Sequence, residues 1–166
     1  MEEVSKVDAS AGITISVHTS LCCSCINDYA SEEQKQKFLR PLVDGSKIGC
    51  FGLTEPGAGT DASGVKTTAK LDGDHYVLNG QKVFTTNGGF ADVFIVFALT
   101  DKTKGPKGMS AFIVEKGTPG MIIGENIKRM GIRAASNCEV ALVDVRVPKE
   151  NVIAGEGKGY KIAMSA

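Results

Sequence analysis

The sequence predicts an α+β fragment: N-terminal helices, a central small all-β domain of sandwich or barrel type, and the start of a C-terminal helix. Three observations predict it. Residues 1–45 place apolar side chains at broadly helical spacing, with Val4, Val7, Ala11, Ile15 and Val17 leading. From Ser46 the texture changes to short β-rich runs punctuated by Gly, Pro, Asn and Asp. After the glycine-rich joint Gly155-Glu-Gly-Lys-Gly159 a helix-like run opens at Tyr160. The expected organisation is therefore the end of a helical domain over 1–45, a middle β domain over 46–154, and a truncated start of a second helical domain over 155–166.

The elements follow in order. A helix is expected over Glu2–Leu21, weakened by Gly12 and by β-branched residues. Ser31-Glu-Glu-Gln34 has the S-x-x-Q form of a capping box, in which the serine hydroxyl and the glutamine amide satisfy orphan helix N–H groups. The helix it opens runs through KQKFLR, is interrupted or restarted at Pro41, and stops at Asp44-Gly45. The apolar face of these helices implies partners, so an isolated product should aggregate at high concentration. Strand candidates are Ile48–Leu53, Lys66–Leu71, Tyr76–Leu78, Gln81–Thr86, Val93–Leu99, Met109–Glu115 and Cys138–Val147, the last ended by Pro148. Asp72-Gly73-Asp74 reads as a hairpin, and Asn79-Gly80 as a second turn. The unbroken run Val93–Leu99 reads as a strand buried on both faces.

Composition narrows function. Lys plus Arg equals Asp plus Glu at 19 each, so the chain lacks the basic excess that neutralises phosphate backbones, and no nucleic-acid partner is expected. The longest apolar run is far too short to span a bilayer, and MEEVSKVDAS lacks a signal-peptide core. No membrane insertion and a cytoplasmic location are expected. Five cysteines, an odd number, argue against a disulfide framework. Cys22 and Cys25 form a CxxC with His18 four positions before Cys22, but no second pair completes a zinc site, so buried reduced cysteines are the better reading and no metal is expected.

Three stretches carry candidate chemistry. In FGLTEPGAGTDAS, residues 51–63, glycines let backbone approach a ligand and Thr54, Thr60 and Ser63 offer hydroxyls. It is neither a P-loop nor a dinucleotide fingerprint; ligand binding and an ordinary loop stand about even on residue types. In KVFTTNGGFADVF, residues 82–94, Phe84 and Phe90 offer flat apolar surface beside Thr85, Thr86 and Asn87. A strand end with core phenylalanines gives the same pattern, and alone that reading is favoured. In NIKRMGIRAASNCEV, residues 126–140, Arg129 and Arg133 suit an anion or a surface, and exposure favours the surface. No nucleophilic triad and no catalytic carboxylate pair is readable.

Those stretches, in that order, resemble the acyl-CoA dehydrogenase flavoproteins. EEQKQKFLRPLVDGSKIGCFGLTEPGAGTDAS looks like the entry into the family's middle β domain. NGQKVFTTNGG looks like its second flavin-contact segment, and RMGIRAASNCEVALVDVRVPKENVIAGEGKGYKIAM like the exit into the C-terminal helices. KVDASAGITISVHTSL also matches, so the resemblance covers nearly the whole chain, with a short-chain, butyryl-CoA-type flavour. It implies FAD as cofactor, an acyl-CoA substrate, electron-transfer flavoprotein as partner and a homotetramer when full length. The reaction implied is α,β-dehydrogenation to the trans-2-enoyl-CoA.

The resemblance also implies site residues. Phe51, Leu53 and Thr54 would contact the flavin largely through backbone, with Gly59 in the same loop. Thr60 would sit where flavin and acyl thioester meet; serine is common there in the family, and threonine keeps the hydroxyl. Phe84, Thr85 and Thr86 would pack on and hydrogen-bond to the flavin. Tryptophan is common at the first of these, so Phe84 keeps the flat face and loses an indole donor. Thr86 would reach the N5 side. No catalytic residue is assigned: the base, a glutamate in the family, is expected beyond Ala166, and the counterpart of Glu55 is structural. Alternatives are an acyl-CoA oxidase or flavin monooxygenase of the same fold, or a non-catalytic flavin- or ligand-binding β module.

Overall fold

The computed structural model describes all 166 residues. Helix α1 (Glu2–Val7) ends at Asp8, whose extended backbone (φ −146°) breaks the helix the sequence predicts as continuous. The Asp8 carboxylate accepts from the Ser10 N–H at 2.8 Å and starts a new helix, as an N-cap aspartate does. That helix runs from Ala9 to Tyr29 as α2 (Ala9–Ser16), a π-helical stretch Val17–Cys23 and α3 (Ser24–Tyr29). By length and composition it could cross a membrane, a property that no single unbroken apolar run in the sequence reveals. Here Val17, Cys22, Cys25 and Ile26 are buried, the last three in a core shared with strands.

The capping box forms in full. Gln34 N–H donates to Ser31 Oγ at 3.2 Å and Ser31 N–H donates to Gln34 Oε1 at 2.9 Å. The helix continues from α4 (Glu32–Gln34) through a π-helical stretch Lys35–Leu39 into α5 (Arg40–Val43). Pro41 therefore does not end it: its missing N–H falls where the wide turns meet the last helical turn.

Eight strands follow: β1 (Gly49–Gly52), β2 (Thr68–Asp72), β3 (His75–Thr86), β4 (Val93–Leu99), β5 (Met109–Glu115), β6 (Met121–Ile123), β7 (Asn137–Pro148) and β8 (Val152–Ile153). They form one mixed sheet in the order β6-β7-β3-β2-β4-β5-β8, with β1 parallel to β4. The sheet folds on itself in the sandwich-like manner expected. Phe94, Val96 and Ala98 of β4 join Phe112, Leu78, Val140 and Val145 in a core between the two halves. Val93, Ile95 and Phe97 face the other way, into a core with Cys22, Ile26, Phe38 and Leu42 of the helices. Both faces of β4 are thus buried, which is why its apolar run is unbroken. Helix α6 (Gly159–Ser165) adds Ile162 and Ala163 to the helical core. A Cβ at Gly159 would lie 2.7 Å from the Ser110 carbonyl carbon, so only glycine lets α6 seat so closely on β5.

The hairpin at Gly73-Asp74 forms, with Asp72 opposite His75 and Gly73 at φ +63°. The expected turn at Asn79-Gly80 does not. Strand β3 runs straight through it, and the irregularity is a bulge in the pairing with β7, where Asp144 takes φ +51°. Asn79 and Asp144 bridge the bulge: Asn79 Nδ2 donates to Asp144 Oδ1 and Asp144 N–H to Asn79 Oδ1, both at 3.0 Å.

Candidate functional site

A second bulge lies further along β3. Lys82 pairs with Val140 and Thr85 with Cys138, so β3 carries one more residue than β7 in this interval. Phe84 absorbs the excess at φ +55°, a left-handed conformation costly for an aromatic residue. The bulge reverses the strand's in–out phase. Lys82 points inward, and Phe84, which simple alternation would also bury, is 63% exposed. The core-phenylalanine reading of this stretch is therefore corrected: a strained backbone holds a flat aromatic face outward.

Its neighbours are polar. Thr85 is buried and its Oγ1 has no hydrogen-bond partner within the chain. Thr86 is half-buried, and its Oγ1 accepts from Asn137 Nδ2 at 3.3 Å, which leaves the Thr86 hydroxyl proton free to donate. Asn87, at φ +70°, closes the segment.

The glycine-rich loop after β1 comes to the same strand. Thr54 carbonyl accepts from Val83 N–H at 2.9 Å, which sets Leu53 and Thr54 one residue from Phe84 on the partner segment. Phe51, on β1, stacks obliquely against Phe97 with centroids 4.9 Å apart. Reciprocal backbone bonds between Glu55 and Ala58, at 3.0 and 3.1 Å, fold residues 55–58 into a tight turn. Gly59 and Thr60 follow, both exposed, with no hydrogen bond to the Phe84–Thr86 segment. Ser63 is taken up locally: its N–H and hydroxyl both donate to Asp61 Oδ1.

Beneath the loop lies a pair that residue types alone did not reveal. Lys82 Nζ lies 2.7 Å from Glu55 Oε1, with both side chains almost wholly out of solvent. Nζ also donates to the Leu53 carbonyl at 3.2 Å. Glu55 accepts from Thr67 N–H at 3.0 Å and Lys66 N–H at 2.7 Å. Burial pushes the Glu55 carboxyl up, but the Lys82 charge and the hydrogen bonds from Lys82, Thr67 and Lys66 outweigh it and hold the group below its ordinary value. Burial pushes Lys82 down to about 8 despite Glu55. The partners respond differently because Glu55 also receives the Thr67 and Lys66 N–H groups, whereas only Glu55 opposes the burial of Lys82. Buried beneath the loop and bonded to Lys82, Thr67 and Lys66, Glu55 is in keeping with a structural role. The available signal was Lys82 at an inward position of the Tyr76, Leu78, Gly80 alternation.

The cysteine cluster is packing. All five thiols are free and buried, and burial pushes Cys23 up to about 11 and Cys25 to about 12. His18 Nδ1 accepts from Gly49 N–H at 3.0 Å and Nε2 lies 3.2 Å from the Leu42 carbonyl, so both ring nitrogens are used in joining helix to sheet. Arg129 turns back to the Ala135 carbonyl, and with Arg133 and Lys128 lines a separate cleft of about 330 Å³.

What the site can do follows from these parts. An exposed aromatic face, a free hydroxyl proton on Thr86 and backbone at Leu53–Thr54 fit a planar ligand with polar edges, with Thr85 buried behind them. A flavin is such a ligand, and the residues present fit it.

Comparison with known proteins bears on the whole chain. Residues 50–145 match the acyl-CoA dehydrogenase middle-domain model and residues 1–46 the N-terminal-domain model. The short-chain-specific acyl-CoA dehydrogenase of Clostridium acetobutylicum is 57% identical over 164 residues, 99% of this chain and 43% of that protein. The butyryl-CoA dehydrogenase structure from Megasphaera elsdenii superposes with a TM-score of 0.96 at 54% identity, over 98% of this chain and 43% of that one. A chain in the structure of the electron-transferring flavoprotein of Acidaminococcus fermentans, described in connection with flavin-based electron bifurcation, superposes with a TM-score of 0.97 at 53% identity, over 99% and 43%. The chain thus spans well under half the length of the relatives it matches, and over that span it belongs to the acyl-CoA dehydrogenase family.

Proposed function

We propose that the protein to which these residues belong oxidises a short-chain acyl-CoA to its trans-2-enoyl-CoA with FAD, and passes the electrons to an electron-transfer flavoprotein. The observation that carries this reading is Phe84, an exposed aromatic held in a left-handed bulge beside Thr86 and the Leu53–Thr54 backbone. Strain of that kind persists only where the surrounding structure over-determines it, and it clusters at ligand sites. The 57% identity to a short-chain-specific relative supports the substrate class. The similarity to a chain in the Acidaminococcus structure supports the electron acceptor.

Bound FAD supplies the two-electron acceptor for the hydride leaving the β carbon. This chain's own residues bind and orient. Phe84 presents a flat apolar face, and closing it against a ring excludes water from that side. Thr86, with its proton free, donates to an acceptor edge, and Thr85, buried behind it, packs the segment in place. Phe51 at the end of β1 and Leu53, Thr54 and Gly59 in the loop after it serve the cofactor largely through backbone, and the Thr60 hydroxyl serves the cofactor–thioester junction. No residue of this chain is assigned as the base for the α proton. Holding substrate and acceptor in register supplies much of the rate, because it replaces an encounter with a fixed geometry. The full-length protein is read as a cytoplasmic homotetramer.

The test uses the full-length protein under anaerobic conditions. Butyryl-CoA should bleach the flavin absorption within the mixing time of a hand assay, and electron-transfer flavoprotein should restore it. Fast restoration by oxygen alone would instead identify an oxidase. A full-length protein that carries no flavin would overturn the reading.

A further inference from the structure

We propose that Lys82 and Glu55 are a positioning pair, fixing the Leu53–Thr54 segment against the strand that carries Phe84 and so setting the face that receives the flavin. The inference rests on the flavin reading above and adds two residues that touch no part of the ligand.

The pair joins three segments at one point. Lys82 stands on β3 two residues before Phe84, with its stem over β1: a Cβ at Gly52 would lie 3.5 Å from Lys82 Cγ. Nζ reaches both the Leu53 carbonyl and Glu55. The Glu55 carboxylate takes the N–H groups of Lys66 and Thr67, the residues that lead into β2. Thr54 carbonyl to Val83 N–H completes the link on the backbone. The loop after β1 is thereby held from beneath by four hydrogen bonds to two side chains, while its other side stays open.

A buried ion pair is a costly way to fill this space. An apolar pair of equal volume is often as stable or more so, because both charges lose their hydration. What the charges add is direction. A methionine at 82 would fill the volume yet leave the Leu53 carbonyl unbonded and the Thr54–Val83 backbone bond to hold the loop to β3. Groups that orient ligand-contacting residues from behind act in this way on affinity, without contact.

The test measures FAD affinity of the full-length apoprotein by quenching of flavin fluorescence. Removing one charge leaves the other buried and unpaired, so the double variant Lys82→Met/Glu55→Gln carries the experiment. Val145→Ala, a buried β7 position away from the loop, is the control for general loss of stability. The expected result is a folded double variant whose Kd for FAD rises about tenfold or more, while Val145→Ala keeps the parent value. Thermal melting of each apoprotein separates folding from affinity. If the double variant fails to fold, Glu55→Asp decides: it keeps the charge, shortens the reach, and should weaken FAD binding and move the flavin absorption maxima. Parent affinity in the folded double variant, or in Glu55→Asp, would overturn the proposal. So would an equal loss in Val145→Ala. A parent protein that binds no FAD would overturn the flavin reading itself, which is a different result from a parent that binds and variants that bind alike.

Discussion

Asn87 donates through Nδ2 to the Gly49 carbonyl at 3.3 Å, and the same nitrogen reaches the Thr14 carbonyl at 3.0 Å. One side chain therefore ties the end of the candidate flavin segment to the start of β1 and to helix α2. Asparagine suits the place, since it tolerates the left-handed φ of +70° that the turn after β3 requires. Asn87→Ala should cost about 2–4 kcal/mol, because buried acceptors lose their donor and alanine tolerates the backbone less well. Asn87→Gly should recover the backbone part only. Urea unfolding of the full-length protein checks both.

The Lys82–Glu55 pair makes a pH prediction. The Glu55 carboxyl is held below its unfolded value, so the stability it contributes is fully present above the unfolded pKa, about 4.3. That stability is lost as pH falls from there through the folded pKa. Glu55→Gln removes the titration. Its stability should be lower than the parent's at pH 7, and the gap should narrow as pH drops below ~4. A gap constant from pH 7 to the acid limit would contradict the assignment.

Two glycines in β-turn and bulge positions should respond differently. Gly73, at φ +63°, has open space where a methyl group would project, so Gly73→Ala should cost only the left-handed strain of about 1–2 kcal/mol. Gly80, at φ +154°, would place a Cβ 2.3 Å from Thr67 Oγ1 and 2.7 Å from Thr67 Cα. The backbone atom cannot move aside, so Gly80→Ala should cost about 2–4 kcal/mol by strain and overpacking together. Comparing the two melting curves tests whether β3 passes as close to Thr67 as the bulge requires.

Much of this architecture was legible. Local rules carried the capping box at Ser31–Gln34, the Asp72–His75 hairpin and the doubly buried β4, because each is written in neighbouring residues. The failures share a cause. Asn79-Gly80 marks irregular backbone, but only the facing strand decides whether that becomes a turn or a bulge. The break at Asp8 depends on a side-chain cap inside an otherwise helical pattern. Phe84 looks like core because alternation is counted from Leu78, and the extra residue opposite Glu139 that reverses it is set by β7. A lysine such as Lys82 reads as surface until its partner, 27 positions away, is in place. The ligand face itself became legible through the resemblance, not through residue types.

Phe84→Gly in the full-length protein tests the central claim most directly. Phe84 is largely exposed and strained, so replacing it with glycine should leave apoprotein stability within about 1 kcal/mol of the parent, as relief of strain offsets backbone entropy. The same change removes the aromatic face, and the Kd for FAD should rise about tenfold or more, the worth of one aromatic contact of roughly 1.4 kcal/mol. A stable variant that releases its flavin is the result predicted here. A variant that loses folding stability yet binds FAD as the parent does would place Phe84 in the core and the cofactor elsewhere.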